Sequence, residues 1–159
     1  MLCHLNAAYN LARWLTGSDA DAEDVVQDAA LRAHRFFDHT PVHDARAWFL
    51  QIVRHRAHTF LARESRFAPL EDGPELADPS PGPQTQLESA VSAMELEAAL
   101  ESLPVKFREV LVLRELEALS YRELATILAI PEGTVMSRLS RAREALRHTL
   151  TRTRERSSS

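Results

Sequence analysis

The chain holds one cysteine, four glycines among its 159 residues, and no apolar run long enough to cross a bilayer. A lone Cys3 excludes an internal disulfide and any structural zinc site built on cysteine pairs. Its opening, MLCHLNAAYNLARWLTG, lacks the basic flank and small-residue cleavage site of a signal peptide. A reducing, cytoplasmic setting without membrane insertion is therefore expected. No phosphate-binding glycine loop, nucleophile elbow or metal-ligand spacing occurs, so nothing points to an enzyme or to a cofactor. His39 and His43 flank a proline-containing loop, but no cysteine or carboxylate set completes a site with them, and no metal is expected.

What is present favours helices. Apolar residues make up 45%, enough for a core, and they are Ala and Leu rather than Val and Ile. The net charge of −4 conceals an alternation along the chain. Asp19 to Asp28 carries five acids and no base, and residues 29–66 carry seven arginines against three acids. Glu71 to Glu101 carries eight acids and no base, and Pro131 to Arg156 seven arginines against three glutamates. Such blocks arise on solvated helix faces too, so alternation alone identifies no partner.

Residues 64–86, ESRFAPLEDGPELADPSPGPQTQ, hold five prolines and two glycines with no apolar periodicity, which predicts an extended, flexible linker. The expected organisation is a first helical domain over 1–65, a linker over 66–86 and a four-helix domain over 87–156. In the first domain, helical spacing predicts a helix from about His4 to Gly17. A second is capped by Asp19 or Asp21, with Ala22, Val25, Val26, Ala29, Ala33 and Phe36 or Phe37 inward. A third is capped by Asp44, with Phe49, Ile52, Val53, Phe60 and Leu61 inward. In the second domain, QLESAVSAMELEAALESL stops before Pro104 and VKFREVLVLRELEAL follows. SYRELATILA then opens on the capping-box pair Ser120 and Glu123, and the last helix begins near Pro131, whose missing N–H costs nothing in a first turn.

The last two helices, with a short turn around Ala129 to Pro131, form a helix-turn-helix, in which the second helix enters the DNA major groove. Val135, Leu139, Ala142 and Leu146 fall on one stripe of that helix at about 100° per residue. Thr134, Ser137, Arg138 and Arg141 project elsewhere, and Met136, Ser140 and Arg143 fill the remaining arc. One side seats the helix; the other offers hydroxyls and guanidinium groups to phosphates and base edges. A surface helix with solvated arginines is the bland alternative.

LPVKFREVLVLRELEALSYRELATILAIPEGTVMSRLSRAREAL resembles the carboxy-terminal, promoter-reading domain of bacterial sigma factors of the extracytoplasmic-function (ECF) group within the sigma-70 family. AYNLARWLTGSDADAEDVVQDAALRAHRFFD followed by ARAWFLQIVRHRAHTFLAR resembles the amino-terminal domain of the same group. The resemblance implies a non-catalytic initiation factor that joins core RNA polymerase and directs it to promoter DNA, with an anti-sigma factor as a further partner. It places Asp24, Gln27, Asp28 and Leu31 on polymerase; their i, i+3, i+4, i+7 spacing gives one helix face. It places the third helix on the minus-ten element, with Arg54 and Arg56 toward phosphates and Trp48 as a stacking surface or core. The loop Asp38 to Asp44 matches the place where a base leaves the stack, and His55 stands where many members have asparagine. In the last helix it turns Met136, Ser137, Ser140 and Arg141 toward minus-thirty-five bases, with Thr134 beside them. Arg138 and Arg143 go to the phosphate backbone. Met136 replaces a basic residue common there: it can meet a thymine methyl but offers no fork to guanine. The other reading is a helix-turn-helix regulator of another class that is not a polymerase subunit.

Overall fold

The computed structural model describes residues 4–39, 41–65 and 92–158, and every regular element among them is helical. In chain order these are α1 (Leu5–Thr16), α2 (Asp19–Phe36), α3 (Ala45–Glu64), α4 (Ala93–Ser102), α5 (Val105–Leu111), α6 (Tyr121–Leu128) and α7 (Glu132–Ser157). The linker predicted over 66–86 and the helical start predicted just after it lie outside the described residues.

The helix boundaries follow from local chemistry. α1 buries Ala7, Ala8, Leu11, Ala12 and Leu15, then ends at Gly17, whose φ of 79° turns its N–H back to the Arg13 carbonyl. The cap of α2 differs from expectation: the Ser18 hydroxyl, not Asp19 or Asp21, accepts the Asp21 N–H. Asp19 is engaged elsewhere, accepting from the Tyr9 hydroxyl at 3.0 Å and from Arg13 Nε at 2.7 Å, which ties the start of α2 to α1. Asp44 caps α3 as expected, accepting from the Ala47 N–H at 3.1 Å. Ser92 does the same for α4 through the Glu95 N–H. Ser120 caps α6 through the Glu123 N–H, and its hydroxyl donates to the Glu123 carboxylate. Pro131 sits just ahead of α7 rather than inside its first turn.

The helix predicted from Val105 to Leu119 is not continuous. After Leu111 the backbone widens into a π turn over Val112–Leu116, with the Glu117 N–H bonded to the Val112 carbonyl at 3.1 Å. Val110, Leu111, Val112 and Leu113 are all buried, which an ordinary one-faced amphipathic helix does not achieve.

α1, α2 and α3 pack on one another, and α7 packs against α4, α5 and α6. The two groups then meet, α6 against α3 and α5 against α1. One buried cluster runs through both, from Leu11, Phe49 and Leu50 to Leu113, Leu124 and Leu139. Burying each such leucine contributes about 1.5–3 kcal/mol. This explains why α3 buries Leu50 and Ala57 in addition to Phe49 and Val53: it has helices on two sides. Ile52, Phe60 and Leu61, expected inward, are half-buried, and Phe36 and Phe37 are exposed rather than core. No described helix is long and apolar enough to cross a membrane.

Candidate functional site

α2 presents a row with no counterpart in the core. Its inward face is Ala22, Val25, Ala29 and Ala33. Asp24, Gln27 and Leu31 are exposed on the side turned away, Leu31 to 64% of its surface. These three side chains share one helical row with Asp28, at i, i+3, i+4 and i+7. Asp28 belongs to the same row but is held from within: Arg56 of α3 makes an ion pair with it, and Arg32 donates to it at 3.4 Å. Acidic Asp19 and Asp21 in the first turn of α2 complement its macrodipole, so part of the acidic pattern is structural.

On α3, the four residues read as DNA-facing separate into different environments. Gln51 and His55 are exposed on one side of the helix. Trp48 is half-buried with its ring centroid 6.0 Å from that of Phe37, so the pair forms an aromatic edge beside that side. Arg56 turns to Asp28 within the first domain. Arg54 turns the other way, into the seam between the domains. There its Nε and Nη2 donate to the two oxygens of Glu109 of α5, both at 3.0 Å. His58, one turn along, meets the same carboxylate at 2.9 Å through Nε2. Burial pushes the Glu109 carboxyl up, but the hydrogen bonds from His58 and Arg54 and the guanidinium charge outweigh it. Its pKa therefore lies below the ordinary glutamate value. Part of the loop Asp38 to Asp44 lies outside the described residues, at position 40.

Two further contacts line the seam. Glu117, just past the π turn, accepts from Asn10 of α1 at 3.0 Å, and its backbone carbonyl accepts from Arg46 of α3 at 3.0 Å. Arg108 satisfies the carbonyls of Leu100, Glu101 and Leu103 at the end of α4 and reaches across to the Trp14 carbonyl of α1 at 2.8 Å. Glu109, Glu117, His58 and Arg108 carried no motif signal in the sequence. A hint did exist: Glu109 lies directly before the apolar run Val110 to Leu113, and an acid drawn into a core with that run needs a partner.

The helix-turn-helix is α6, a turn at Ala129 and α7. Ala129 adopts φ 56°, a left-handed conformation in which its N–H reaches the Ala125 carbonyl and the chain reverses toward Pro131. Val135, Leu139 and Ala142 are buried and Leu146 half-buried, which seats α7 through its apolar stripe. Thr134, Met136, Ser137 and Ser140 are consequently exposed on the first turns, Met136 to 50%. Arg138 and Arg141 are half-buried at the margins of this face. Arg143 folds toward Glu115 in the π turn, with Nη2 at 2.7 Å and Nε at 2.9 Å from one carboxylate oxygen. Among the described residues, no group of three or more His, Cys, Asp or Glu is placed to hold a metal ion.

Comparison with known proteins addresses both halves. Residues 1–67 match the family described as Sigma-70 region 2, and residues 93–146 match Sigma-70, region 4. The ECF RNA polymerase sigma factor SigE of Mycolicibacterium smegmatis is 33% identical over 147 residues, which cover 91% of this chain and 57% of that relative. The ECF RNA polymerase sigma-E factor of Escherichia coli K12 is 35% identical over 138 residues, 79% of this chain and 72% of the relative. Among solved structures, the sigma factor RpoE in complex with the anti-sigma factor NepR, from Bartonella quintana, superposes with a TM-score of 0.73. It is 26% identical, over 94% of this chain and 93% of that one. CnrH, in complex with the cytosolic domain of CnrY, shares the fold at a TM-score of 0.64 and 23% identity, over 94% of this chain and 84% of that one.

Proposed function

The chain belongs to the sigma-70 family of RNA polymerase sigma factors, in its ECF group, and from that membership we propose that it joins core RNA polymerase in the cytoplasm and directs it to a set of promoters. In this reading residues 1–65 form the domain that docks on polymerase and opens the minus-ten element. Residues 87–156 form the domain that reads the minus-thirty-five element, and 66–86 connect them.

The observation that carries the reading is the pairing of two outward rows, each on a helix seated through its opposite face. On α2 the row is Asp24, Gln27, Asp28 and Leu31, and it is the docking surface for core polymerase. On α7 it is Thr134, Met136, Ser137 and Ser140, with Arg141 beside it for base edges and Arg138 and Arg143 for phosphates. On α3, Trp48 and His55 meet the minus-ten strand, with Arg54 and Arg56 as its cations. The protein then contributes no bond-making chemistry: polymerase supplies catalysis, and this chain supplies position and sequence preference. An anti-sigma factor is a further partner, supported by the likeness across both domains to a sigma factor solved with one.

The test is competition for core polymerase. Gln27→Ala combined with Leu31→Ala removes two exposed side chains without touching the Arg56 ion pair, and should weaken core binding by roughly tenfold or more. Equal competition by wild type and double variant, with equal helical circular dichroism, would remove α2 as the docking element.

A further inference from the structure

Met136, Ser140 and Arg143 fall at i, i+4 and i+7, one row on the outer arc of α7. The first two lie exposed on the turns proposed to face base edges. The third carries a cation, and that cation is already engaged. Arg143 Nε and Nη2, at 2.9 and 2.7 Å, both donate to a single oxygen of Glu115. These two donors form one edge of the guanidinium, an edge with which arginine forks onto an oxyanion.

Glu115 is presented by a fixed element. It stands in the π turn, where the Glu117 N–H returns to the Val112 carbonyl and the Leu119 N–H to the Leu113 carbonyl, both at 3.1 Å. The neighbouring Arg114 pins this turn to α6: its Nη1 donates to the Leu119 carbonyl at 2.7 Å, and its guanidinium carbon lies 4.7 Å from the Tyr121 ring centroid. The Glu115 backbone is thereby held opposite Arg143. The pair itself is open, with 42% of the arginine and 50% of the glutamate side chain exposed. An ion pair so hydrated is weakly held, and a DNA phosphate can take the guanidinium from it.

That exchange is not equally favourable on every duplex. Phosphates are present in all sequences, so an uncompensated Arg143 would add a contact wherever DNA approached. Paired with Glu115 it adds none, because the pair is neutral and its carboxylate repels the backbone. Base contacts by Met136 and Ser140 change the balance. They hold α7 in the groove and present a phosphate to Arg143 at a fixed position, which raises its effective concentration there.

Resting on the promoter-reading role of α7, we propose that Glu115 is a specificity-determining residue. It competes with DNA phosphate for Arg143, so that this sequence-independent contact forms where Met136 and Ser140 have met their bases.

The test uses core polymerase loaded with the full-length chain. A randomised duplex pool captured repeatedly by the wild-type complex supplies an enriched duplex, and a random-sequence duplex is the second probe. Affinity for each is measured against salt for wild type, Glu115→Gln, Arg143→Ala and the double variant. Glu115→Asp is added because it keeps the charge but shortens its reach. Glu115 is exposed, so none of its substitutions empties the core. Glu115→Gln and Glu115→Asp should each bind the random duplex several-fold more tightly and steepen its slope of log affinity against log salt by about 1. On the enriched duplex both quantities should stay near the wild-type values, so discrimination falls by the same several-fold. In the Arg143→Ala background, Glu115→Gln should no longer alter discrimination. Equal gains on both duplexes, gains that Glu115→Asp does not share, or gains that persist without Arg143 would reduce Glu115 to a general repulsive charge and overturn the proposal. Variants of unchanged helical circular dichroism that bind as wild type does would overturn it too. A pool that enriches no sequence counts against the promoter-reading role, and the slopes on the random duplex then still decide whether Glu115 withholds Arg143 from phosphate.

Discussion

Arg54, Arg56 and Arg143 are each held by a carboxylate in the free chain, Glu109, Asp28 and Glu115 respectively. Their positive charge is therefore stored rather than displayed, and it reaches a phosphate only if the carboxylate lets go. The Arg143 pair is largely solvated, so releasing it costs little. Arg143→Ala should accordingly lower binding to every promoter alike and reduce the slope of log affinity against log salt by about 1. Arg141→Ala should instead relax preference at one position, where a bidentate contact discriminates by about 1–3 kcal/mol. A promoter library transcribed by both variants separates the two: uniform loss with Arg141→Ala would contradict its assignment to a base. Glu109 predicts a pH dependence. Its carboxyl titrates below the ordinary 4.5, so its contribution to folding is complete above that value and is lost as pH falls through the lowered one. Wild type should melt above Glu109→Gln at neutral pH, and the gap should close as pH falls below the ordinary glutamate value and through the lowered one. A constant gap in thermal melts across that range would mean that Glu109 is not ionised in the folded protein.

The helices were largely legible in the sequence because each carries its own signals. Asp44 and Ser120 cap where the pattern placed them, and Val135, Leu139 and Ala142 are buried as their spacing required. Misses came where a tertiary partner changed the local rule. Asp19 read as a cap but is drawn off by Tyr9 and Arg13, leaving the role to Ser18. The π turn after Leu111 was not legible, since its apolar run resembles an ordinary helix until α1 and α6 are placed beside it. Ala129 sits in the left-handed region at the turn of the helix-turn-helix, a conformation that costs a non-glycine residue roughly 1–2 kcal/mol. Ala129→Gly removes that cost but adds freedom to the unfolded chain. The net expectation is a gain of up to about 1 kcal/mol with unchanged promoter preference, read by denaturant unfolding. A clear loss of stability would show that the Ala129 methyl packs in a way that offsets the strain.

For the whole molecule, the sequence pattern anticipated two helical domains and the outward rows on α2 and α7, because periodicity and motif spacing are local properties. The packing of α3 against α6, and with it the burial of Arg54, was not legible. Contacts such as Arg54 to Glu109 join residues far apart in the chain and leave no periodic trace. The charge blocks acquire a meaning only at this scale: basic α3 meets acids from the second domain at Glu109 and Glu117 and Asp28 of α2, while Glu23 and Asp24 of α2 stay exposed. Whether this chain gives core polymerase its choice of promoter is read by sequencing the 5′ ends of transcripts made in vitro from genomic DNA by core polymerase with and without the protein. A promoter-selecting subunit should produce a discrete set of new start sites sharing two upstream elements spaced as minus-ten and minus-thirty-five. Start sites indistinguishable from those of core polymerase alone would contradict that role.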